Sequence, residues 1–531
     1  MATAETSTVI LPKAPRGAFH NEPFTDFARH DNAHSMREAL TRVGDLLGQE
    51  YPLIIGGERV HTSGRIESRN PARPAQLVGL HQKAGAEHAA QAVDAAQRAF
   101  QTWRLVSSEE RASLLLRTAE LIRSRKFDFC AWLTFEVGKN WAEADADVGE
   151  TIDFLEFYAR EALRLAQAQP PVQYPGERDE LLYIPLGVGA VISPWNFPFA
   201  IMAGMTSAAI VAGNTVVLKP SSDSPTIAAR FMEVLEEAGL PPGVVNFCPG
   251  SGATFGNAVV EHPKTRFIAF TGSKEVGLDI HTRAAKTQPG QIWIKRTILE
   301  MGGKDSIIVS ADADFDAAVS GVIASAFGFS GQKCSACSRA IVEEPIYDEF
   351  VDRLRERAEV LKVGDPAANT NLGPVISEAA MHTILDYIEI GRKEGRVVAG
   401  GSAVKTPEKG YYIAPTVIAD VAPKARIAQE EIFGPVLAVI RARDFDHALE
   451  IANNTEFGLT GSVYSADRAK LDRARREFHV GNLYFNRKCT GAMVGAHPFG
   501  GFNMSGTDSK AGGPDYLYLF TQAKSVGEKL S

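Results

Sequence analysis

Two cysteines three residues apart are the strongest candidates for chemistry in this sequence. Cys334 and Cys337 lie in the segment GFSGQKCSACSR, residues 328–339. A C-x-x-C pair can be half of a zinc site, a redox pair or a nucleophile with an incidental neighbour. No second C-x-x-C occurs, and the C-G-[SA]-C-[WY] setting of papain-like proteases is missing. A nucleophile beside a glycine-rich turn therefore stays open, together with a redox pair and a buried, inert cysteine.

A second candidate site lies where a predicted strand leads into a helix, in the segment RFIAFTGSKEVG, residues 266–277. Thr271, Gly272 and Ser273 occupy the turn, and the free backbone N–H groups of a helix start suit a phosphate. The G-x-G-x-x-G fingerprint of many dinucleotide sites is missing here. The spacing alone therefore permits either a dinucleotide site or an ordinary helix start.

The overall composition is that of a globular protein with two or three domains. The chain has 531 residues, 45% of them hydrophobic, and a formal net charge of −8. This charge, without any basic tract, gives no electrostatic footprint for nucleic acid or an anionic membrane. The five cysteines are too few and too scattered for a disulfide framework, and the N-terminus lacks a signal-peptide core. A reducing, cytoplasmic location is expected.

One uncharged stretch, residues 184–218, is long enough to cross a bilayer. It contains Pro185, Pro194 and Pro198, together with asparagines and glycines, which would leave backbone groups unpaired in lipid. We therefore predict two short buried strands joined by a tight loop, and no membrane span.

The elements that must position these residues follow from the hydrophobic periodicity. A long helical region is predicted for residues 84–164. Residues 214–249 predict a β-α-β unit, in which Ser224 is the helix N-cap and Pro225 the first helical residue. Such units imply a parallel sheet with helices on its faces. A second α/β region is expected from about residue 298 to 490.

The two ends of the chain and one internal segment lie outside these regions. Residues 1–48 predict a mobile lead-in and then an amphipathic helix. Polar segments with strand-like alternation, residues 167–185 and 516–525, are candidates for pairing between subunits. The apolar stripe of the first helix consists of Met36, Leu40, Val43 and Leu47.

Five motifs follow one another along the chain: SPWNFP (193–198), FTGS (270–273), LEMGGK (299–304), EEIFGPV (430–436) and PFGGFNMSG (498–506). In this order they resemble the aldehyde dehydrogenase superfamily, and the resemblance covers about residues 50–525. It implies an α/β fold with a Rossmann-like cofactor domain, an α/β catalytic domain and a β oligomerisation flap, and hence a homo-oligomer, a dimer or larger. The expected boundaries are 1–48 for the lead-in and helix, 49–166 and 186–299 for the NAD-binding domain, 300–495 for the catalytic domain, and 167–185 and 510–531 for the flap.

The resemblance also implies a catalytic set. Cys334 resembles the thiol that attacks the aldehyde carbon to give a thiohemiacetal, which hydride transfer to the nicotinamide converts into a thioester. The side-chain amide of Asn196 and the backbone N–H of Cys334 resemble an oxyanion hole. Glu300 resembles the general base that activates the hydrolytic water. Cys337 matches no family role and is interpreted as a packing residue. No metal is expected.

NAD is the cofactor that the resemblance implies, with NADP as the alternative. Many NAD-specific members carry a glutamate where Ser222 stands, and that carboxylate repels a 2′-phosphate. NADP should therefore be excluded less strongly here. The expected cofactor-binding residues are Ile192, Ser193, Pro194, Trp195, Lys219, Ser221, Ser222, Gly252, Gly256, Thr271, Gly272, Ser273, Glu431 and Phe433.

Four segments, residues 136–148, 331–339, 476–495 and 498–507, carry a closer resemblance. They are similar to one branch of the superfamily, the 1-pyrroline-5-carboxylate dehydrogenases. The implied reaction is the oxidation of L-glutamate 5-semialdehyde, formed from 1-pyrroline-5-carboxylate, to L-glutamate in the second step of proline degradation. The chain is too short to hold a proline dehydrogenase barrel as well, so a separate proline dehydrogenase is expected upstream.

That substrate carries a carboxylate and an ammonium group at the end away from the aldehyde. The hydroxyl of Ser335 and the backbone N–H groups of Gly491 and Ala492 are expected to hold the carboxylate. Glu136 is expected to face the ammonium group, and two phenylalanines to form aromatic walls. The expected substrate-binding residues are Glu136, Phe197, Ser335, Gly491, Ala492 and Phe499.

Three alternatives stay open at this point. Another small carboxylated aldehyde, such as succinate semialdehyde, would need a cationic clamp and no ammonium site. A cysteine hydrolase or thioesterase would use the same thiol without a cofactor. A non-catalytic protein on the same scaffold would tolerate the loss of Cys334.

Overall fold

The computed structural model describes residues 17–167 and 171–530. Its first element is helix α1 (His30–Gly44). Met36 and Val43, two members of the predicted apolar stripe, are buried. This stripe packs α1 onto the helices that follow it in the chain.

The segment before α1 is not the mobile lead-in that we predicted. In residues 17–29, the side-chain amide of Asn21 donates to the Asp153 carboxylate at 2.8 Å, and the backbone N–H of Glu22 donates to the same carboxylate at 2.6 Å. These bonds fix the segment to a helix far along the chain. The rest of the predicted lead-in, residues 1–16, lies outside the described residues.

Five short strands follow α1: β1 (Gln49–Tyr51), β2 (Leu53–Ile55), β3 (Glu58–Val60), β4 (Arg65–Arg69) and β5 (Leu77–Gln82). Strands β1, β5 and β4 form a small sheet of their own. Strands β2 and β3 instead extend the edge of a larger sheet.

The helical region predicted for residues 84–164 is confirmed as four consecutive helices, α2 (Ala86–Trp103), α3 (Ser108–Ser124), α4 (Lys126–Val137) and α5 (Trp141–Ala166). Helix α3 begins with a capping box formed by Ser107 and Glu110. Helix α5 begins after Asn140, whose side chain accepts a hydrogen bond from the backbone N–H of Glu143. It packs against α3 and against a later helix, α6 (Ala200–Val211).

The next part of the chain alternates strands and helices: β6 (Glu177–Pro185), β7 (Val188–Ile192), α6 (Ala200–Val211), β8 (Thr215–Lys219), α7 (Pro225–Glu237), β9 (Val245–Phe247), α8 (Asn257–Glu261), β10 (Thr265–Thr271), α9 (Lys274–Ala285) and β11 (Arg296–Glu300). All except β6 belong to a layer whose seven-stranded sheet has the order β11-β10-β7-β8-β9-β2-β3. The pairs from β11 to β9 are parallel, which confirms the predicted β-α-β unit.

The uncharged stretch is folded differently from our prediction. Strands β7 and β8 are buried as expected, but a 12-residue helix, α6, connects them instead of a tight loop. Helix α6 needs no polar face because nearly all of its residues are buried. Among the described residues, no helix is long and apolar enough to cross a membrane.

The second α/β region is confirmed as another layer: β12 (Ser306–Val309), α10 (Phe315–Phe327), β13 (Arg339–Glu343), α11 (Tyr347–Glu359), α12 (Glu378–Glu394), β14 (Arg396–Ala399), β15 (Ala403–Val404), β16 (Tyr412–Ile413), β17 (Thr416–Ala419), α13 (Arg426–Gln429), β18 (Val436–Ala442), α14 (Phe445–Asn453), β19 (Phe457–Gly458), β20 (Thr460–Tyr464), α15 (Arg468–Glu477), β21 (Asn482–Phe485) and β22 (Phe502–Asn503). Its seven-stranded sheet has the order β14-β17-β18-β13-β12-β20-β21. Two sheets with helices packed on them confirm the α/β fold class.

The last strand, β23 (Thr521–Lys529), pairs antiparallel with β6 along its whole length. The prediction that a strand begins at Tyr516 is wrong, because Tyr516–Phe520 forms a short 3-10 turn. Three side chains of that turn are buried, which anchors the start of the β6–β23 ribbon to the body of the protein. Pairing of this ribbon with another subunit stays a prediction.

Candidate active site

A cavity of about 720 Å³ opens at the carboxyl ends of β7, β8 and β10. Strand β7 lies between β8, which follows it in the chain, and β10, which returns to its other side. Such a reversal of strand order leaves a crevice in which open α/β sheets bind nucleotides. Every predicted cofactor-binding residue lines this cavity: Ile192, Ser193, Pro194, Trp195, Lys219, Ser221, Ser222, Gly252, Gly256, Thr271, Gly272, Ser273, Glu431 and Phe433.

The junction between β10 and α9 has the geometry of an anion site. Ser273 caps α9, and its hydroxyl accepts a hydrogen bond from the backbone N–H of Val276. The other N–H groups of the first turn face the end of the helix, where its dipole favours a negative charge. A Cβ atom on Gly272 would lie 2.5 Å from the ring of Phe270, so only glycine fits at this turn.

A cation and a carboxylate lie at the other end of the cavity. Burial lowers the pKa of Lys219 to about 8, and its ammonium donates to the carbonyl of Pro220 at 3.1 Å. Asp223 also lines the cavity, beside Ser222. We did not predict this residue, although it directly follows the serine at which we noted a missing glutamate.

Glu431 and Phe433 line the same cavity as the Cys334 thiol. One oxygen of Glu431 accepts a hydrogen bond from the backbone N–H of Gly303 at 2.9 Å, and burial raises the pKa of Glu431 to about 7. Phe433 stands edge-on to Trp195 with the ring centroids 5.5 Å apart. A backbone hydrogen bond therefore positions the carboxyl group of Glu431, and the ring of Trp195 positions the ring of Phe433.

The segment before the thiol has an unusual backbone. Phe329, Ser330 and Gly331 all have positive φ angles, 49°, 53° and 70°. The hydroxyl of Ser330 donates to the carbonyl of Gly373 at 2.7 Å, and the Gln332 side chain accepts from the backbone N–H of Ile376 at 2.8 Å. Non-glycine residues in this region are strained, and such strain persists only where the surroundings fix the conformation.

Cys334 lies on the wall that separates the first cavity from a second one of about 120 Å³. It is a free thiol. Burial, reinforced by the charges of Asp305, Glu431 and Glu300, raises its pKa well above the usual range. The glycine-rich turn therefore does not by itself supply the lowered pKa that we associated with a nucleophile, and the thiol needs a base.

Asn196 is buried beside this thiol. Its side-chain amide donates to the carbonyl of Gln332 at 3.2 Å, and it lines the larger cavity together with Cys334. Because an amide carries two N–H donors, one donor remains for a ligand in the cavity.

Glu300, the last residue of β11, faces the smaller cavity. The Ser509 hydroxyl donates to one of its oxygens and the backbone N–H of Gly501 to the other, at 3.3 Å. Burial nevertheless raises the pKa of Glu300 to about 7. A carboxyl group with this pKa can accept a proton and release it again at neutral pH.

The smaller cavity contains five of the six predicted substrate-binding residues. Its aromatic walls include side chains from α5, Phe154 and Tyr158, that we did not predict. Gly491 has a φ of 76°, which exposes the backbone of its turn. The predicted residues that line this cavity are Phe197, Ser335, Gly491, Ala492 and Phe499.

The sixth prediction, Glu136, is wrong. Its carboxylate is fully buried away from both cavities and accepts hydrogen bonds from the backbone N–H groups of Thr226 and Ile227 at 2.6 and 2.8 Å. It thereby caps α7. Ser224 stands at the N-cap position that we predicted, but its own side chain makes no capping bond. The distant glutamate has taken over that role.

A second carboxyl group lines the smaller cavity besides that of Glu300, and it belongs to Glu150. Burial, reinforced by the neighbouring Asp147, raises its pKa to about 8. Glu150, Phe154 and Tyr158 follow one another at intervals of four on α5, so they share one face of the helix. A glutamate at the head of an aromatic stripe was the signal in the sequence that could have identified it.

Cys337 packs in the core, as predicted. It is buried, and its sulfur contacts Cys489. All five cysteines are free. In the part of the chain that the structure describes, no group of three or more His, Cys, Asp and Glu side chains could hold a metal ion.

Known proteins share this architecture. The chain matches the aldehyde dehydrogenase family over residues 59–526. A 1-pyrroline-5-carboxylate dehydrogenase of Geobacillus thermodenitrificans is 60% identical over 511 residues, 96% of this chain and 99% of the relative. A Thermus 1-pyrroline-5-carboxylate dehydrogenase with bound NAD has a TM-score of 0.95 at 54% identity, over 97% of this chain and 99% of that one.

A longer protein contains the same fold. Proline utilization A from Bdellovibrio bacteriovorus has a TM-score of 0.95 at 47% identity, over 97% of this chain and 54% of that one. The match to the family model, the high sequence identities and the shared fold show that this chain belongs to the aldehyde dehydrogenase family.

Proposed function

We propose that this protein oxidises L-glutamate 5-semialdehyde, the open form of 1-pyrroline-5-carboxylate, to L-glutamate with reduction of NAD. The observation that carries the proposal is the position of Cys334, on the wall shared by the nucleotide-sized cavity and the smaller one. Relatives named 1-pyrroline-5-carboxylate dehydrogenase, at 60% and 59% identity, support the substrate. The NAD bound to the Thermus relative supports the cofactor.

The larger cavity fits a dinucleotide. Lys219 and Ser221 would hold the adenosine end, the start of α9 the pyrophosphate, and Glu431 and Phe433 the nicotinamide ribose. The bound cofactor supplies an acceptor for the hydride of the aldehyde carbon. NAD is favoured over NADP because the Asp223 carboxylate lines the cavity beside Ser222, where a negative charge would oppose a 2′-phosphate.

Cys334 attacks the aldehyde carbon and forms a carbon–sulfur bond. Its thiol carries a proton at neutral pH because burial and nearby carboxylates raise its pKa, so the proton must leave as the bond forms. Glu300 lines the same cavity with a pKa of about 7 and is the base for this proton. The free N–H of Asn196 stabilises the negative charge on the former carbonyl oxygen, a contribution typically of ~3 kcal/mol.

Glu300 acts a second time when the oxidised carbon is a thioester on Cys334. After Glu300 has released the thiol proton to solvent, its carboxylate takes a proton from water, and the resulting hydroxide displaces the sulfur. Glu300 then returns that proton to the departing thiolate. Ser509 and Gly501 hold the two carboxylate oxygens, while glycines at 500 and 506 leave room around them. The products are a carboxylic acid and the free thiol.

Charge selects the substrate within the smaller cavity. The Ser335 hydroxyl and the backbone N–H groups of Gly491 and Ala492 bind the α-carboxylate, as the resemblance implied. Glu150 replaces Glu136 as the partner of the ammonium group, because it lines this cavity and, unlike Glu300, has no role as the base. Succinate semialdehyde has no ammonium group and would leave Glu150 without a partner, which favours the amino-acid aldehyde.

The domain division, the assembly, the source of the substrate and the location are part of the same proposal. The division into cofactor and catalytic domains at residue 300 is supported by the two separate sheets. The β6–β23 ribbon supports a homo-oligomer, a dimer or larger, formed through the flap. A separate proline dehydrogenase supplies the substrate, which the likeness to a proline utilization A protein supports. Free cysteines fit a cytoplasmic location.

A kinetic comparison of aldehydes tests the proposal. Formation of NADH is measured with 1-pyrroline-5-carboxylate and with succinate semialdehyde, using the wild type and Cys334→Ala. We expect kcat/KM to be at least about tenfold higher for the pyrroline compound, the equivalent of ~1.4 kcal/mol, and no turnover by the variant. Equal or faster oxidation of succinate semialdehyde contradicts the substrate, and NADH formation by Cys334→Ala contradicts the mechanism. A hydrolase would instead cleave esters and form no NADH with either aldehyde.

A further inference from the structure

A buried ion pair lies behind the wall of the substrate cavity. The Lys139 ammonium is 2.9 Å from the Asp147 carboxylate, and both side chains are 0% exposed. Lys139 stands in the connection between α4 and α5, and Asp147 lies on the second turn of α5. Neither residue lines either cavity. A buried ion pair is weak evidence for stability, because apolar side chains of the same volume often stabilise a protein as well or better.

The second carboxylate oxygen of Asp147 contacts the segment that contains Asn196. This oxygen accepts a hydrogen bond from the backbone N–H of Ala200 at 2.7 Å. Ala200 is the first residue of α6, and Phe199 before it supplies no side-chain cap. Asp147 therefore satisfies a helix end that has no cap of its own, four residues after the proposed oxyanion donor.

The ammonium group of Lys139 also contacts two aromatic rings near the proposed active site. Its ammonium nitrogen lies 3.9 Å from the ring centroid of Phe197 and 4.9 Å from that of Phe329. Phe197 lines the substrate cavity and Lys139 does not, so the ring stands between the ammonium and the substrate. Phe329 is the first residue of the left-handed backbone that leads to Cys334. A desolvated cation attracts both rings strongly.

We propose that Lys139 and Asp147 are positioning residues that fix the distance between the oxyanion donor and the nucleophile. One member of the pair holds the start of α6, just beyond Asn196. The other holds Phe197 on the same segment and Phe329 on the catalytic loop. The inference rests on the proposed roles of Asn196 and Cys334. It also gives a reason for a buried ion pair at a position where apolar side chains could pack equally well.

We therefore expect the Lys139–Asp147 pair to affect kcat more than the affinity for NAD. Asn196 and Cys334 belong to different layers of the fold, so their separation depends on contacts that bridge the layers. A displacement of about 1 Å at a reacting centre can lower the rate by about 100-fold. The nucleotide cavity is formed mainly by other strand ends and should keep its affinity.

The chain offers a matched control on the same two helices. Lys126 of α4 is 3.0 Å from Asp145 of α5, and these side chains are 11% and 2% exposed. Asp145 accepts hydrogen bonds from Thr25 in the segment before α1, and neither Lys126 nor Asp145 lines the nucleotide cavity or the substrate cavity. This pair therefore has the same residue types and similar burial, and it lies apart from the active site.

The test compares two charge-free double variants, Lys139→Met/Asp147→Asn and Lys126→Met/Asp145→Asn. Removing both charges avoids leaving one ion buried without a partner. We measure Tm, the Kd for NAD and kcat with both 1-pyrroline-5-carboxylate and propanal. For the first variant we expect kcat to fall about 30- to 100-fold with both aldehydes, while the Kd for NAD changes less than threefold. For the control we expect kcat within twofold of the wild type.

A kcat within twofold of the wild type in the first variant overturns the proposal, and so does an equal loss of kcat in the control. Asp147→Glu keeps both charges and guards against a double variant that does not fold. Its extra methylene should displace the start of α6 and lower kcat about tenfold, and an unchanged kcat overturns the role of Asp147. Wild-type oxidation of propanal without oxidation of the pyrroline compound would count against the proposed substrate alone, because the pair can still be tested with propanal.

Discussion

The two cavities that meet at Cys334 are built in different ways. The nucleotide cavity, about 720 Å³, opens at the ends of parallel strands and is lined largely by turns. The substrate cavity, about 120 Å³, is enclosed by side chains of α5 and α6 and by loops from distant parts of the chain. Backbone geometry therefore dominates the first cavity, and the chemistry of individual side chains dominates the second. Substitutions at the junction should affect turnover, those in the second cavity the choice of aldehyde, and those in the first the choice of nucleotide.

The largest effect is expected for Glu300→Gln at the junction. An amide cannot take a proton, so we expect steady-state turnover to fall by about 10²- to 10⁴-fold. In the wild type, thioester hydrolysis should fall about tenfold for each pH unit below about 7, because Glu300 is protonated there. The measurement is rapid-quench analysis of a single turnover between pH 5.5 and 8.5. A wild-type rate of hydrolysis that does not depend on pH in this range contradicts the assignment.

Asn196→Ala should have the next largest effect. Loss of the oxyanion donor should lower kcat by about 10²- to 10³-fold and leave the affinity for NAD within threefold. Stopped-flow kinetics and NAD titration measure the two quantities. Asn257→Ala is a suitable control because Asn257 lines the nucleotide cavity away from the thiol, and it should leave kcat unchanged. Equal losses in both variants contradict a specific role for Asn196.

Glu150→Gln should change the choice of aldehyde. Loss of a charged partner for the ammonium group should lower kcat/KM for the pyrroline substrate by about 30-fold, or ~2 kcal/mol, and spare succinate semialdehyde. In the wild type, KM for the pyrroline substrate should decrease as the pH rises through about 8, because Glu150 becomes ionised there. The same loss for both aldehydes would show that Glu150 only shapes the cavity.

Asp223→Asn should change the choice of nucleotide by a smaller amount. Removing a carboxylate at the ribose end should raise kcat/KM for NADP relative to NAD by up to about tenfold, or ~1.4 kcal/mol. Steady-state kinetics with both nucleotides measure this ratio. Asp279→Asn, at another wall of the cavity, is the control. An unchanged ratio of kcat/KM for NADP and NAD in Asp223→Asn would show that other residues select the nucleotide.

Glu136→Gln should have the smallest effect on activity and a measurable effect on stability. Weakening the cap of α7 should lower the free energy of unfolding by about 1–2 kcal/mol and leave kcat/KM for both aldehydes within twofold. The raised pKa of Glu136 in the folded protein also means that its carboxyl contributes less to stability as the pH rises from 4.5 to above the folded pKa. A selective loss with the amino-acid aldehyde would reinstate Glu136 as a substrate residue.

The contrast between the cavities also explains what the sequence could predict. Turns such as Thr271-Gly272-Ser273 are short and can be predicted locally, because the sequence indicates both the end of a strand and the start of a helix. The individual cofactor residues were instead implied by the family resemblance, and they line one cavity. The α/β layers and the helices of residues 84–164 followed from periodicity.

Side chains on helices were harder to assign. Glu136 and Glu150 are both helical carboxylates, and only tertiary packing decides that one caps α7 while the other enters a cavity. Helix α6 has no polar face, so periodicity could not distinguish it from buried strands with a loop. The Lys139–Asp147 pair depends on contacts with residues more than 50 positions away, which no local pattern records.

The most direct test of the account follows the sulfur of Cys334. Glu300→Gln protein is mixed with NAD and 1-pyrroline-5-carboxylate, quenched in acid and analysed by mass spectrometry of its cysteine peptides. Because the amide of the Glu300→Gln variant cannot take the thiol proton, which must then leave to water, we predict slow formation of NADH up to one equivalent for each active site. We also predict an acyl adduct at Cys334, with Cys337 unmodified. Formation of NADH without an adduct, or an adduct on a different cysteine, contradicts the account.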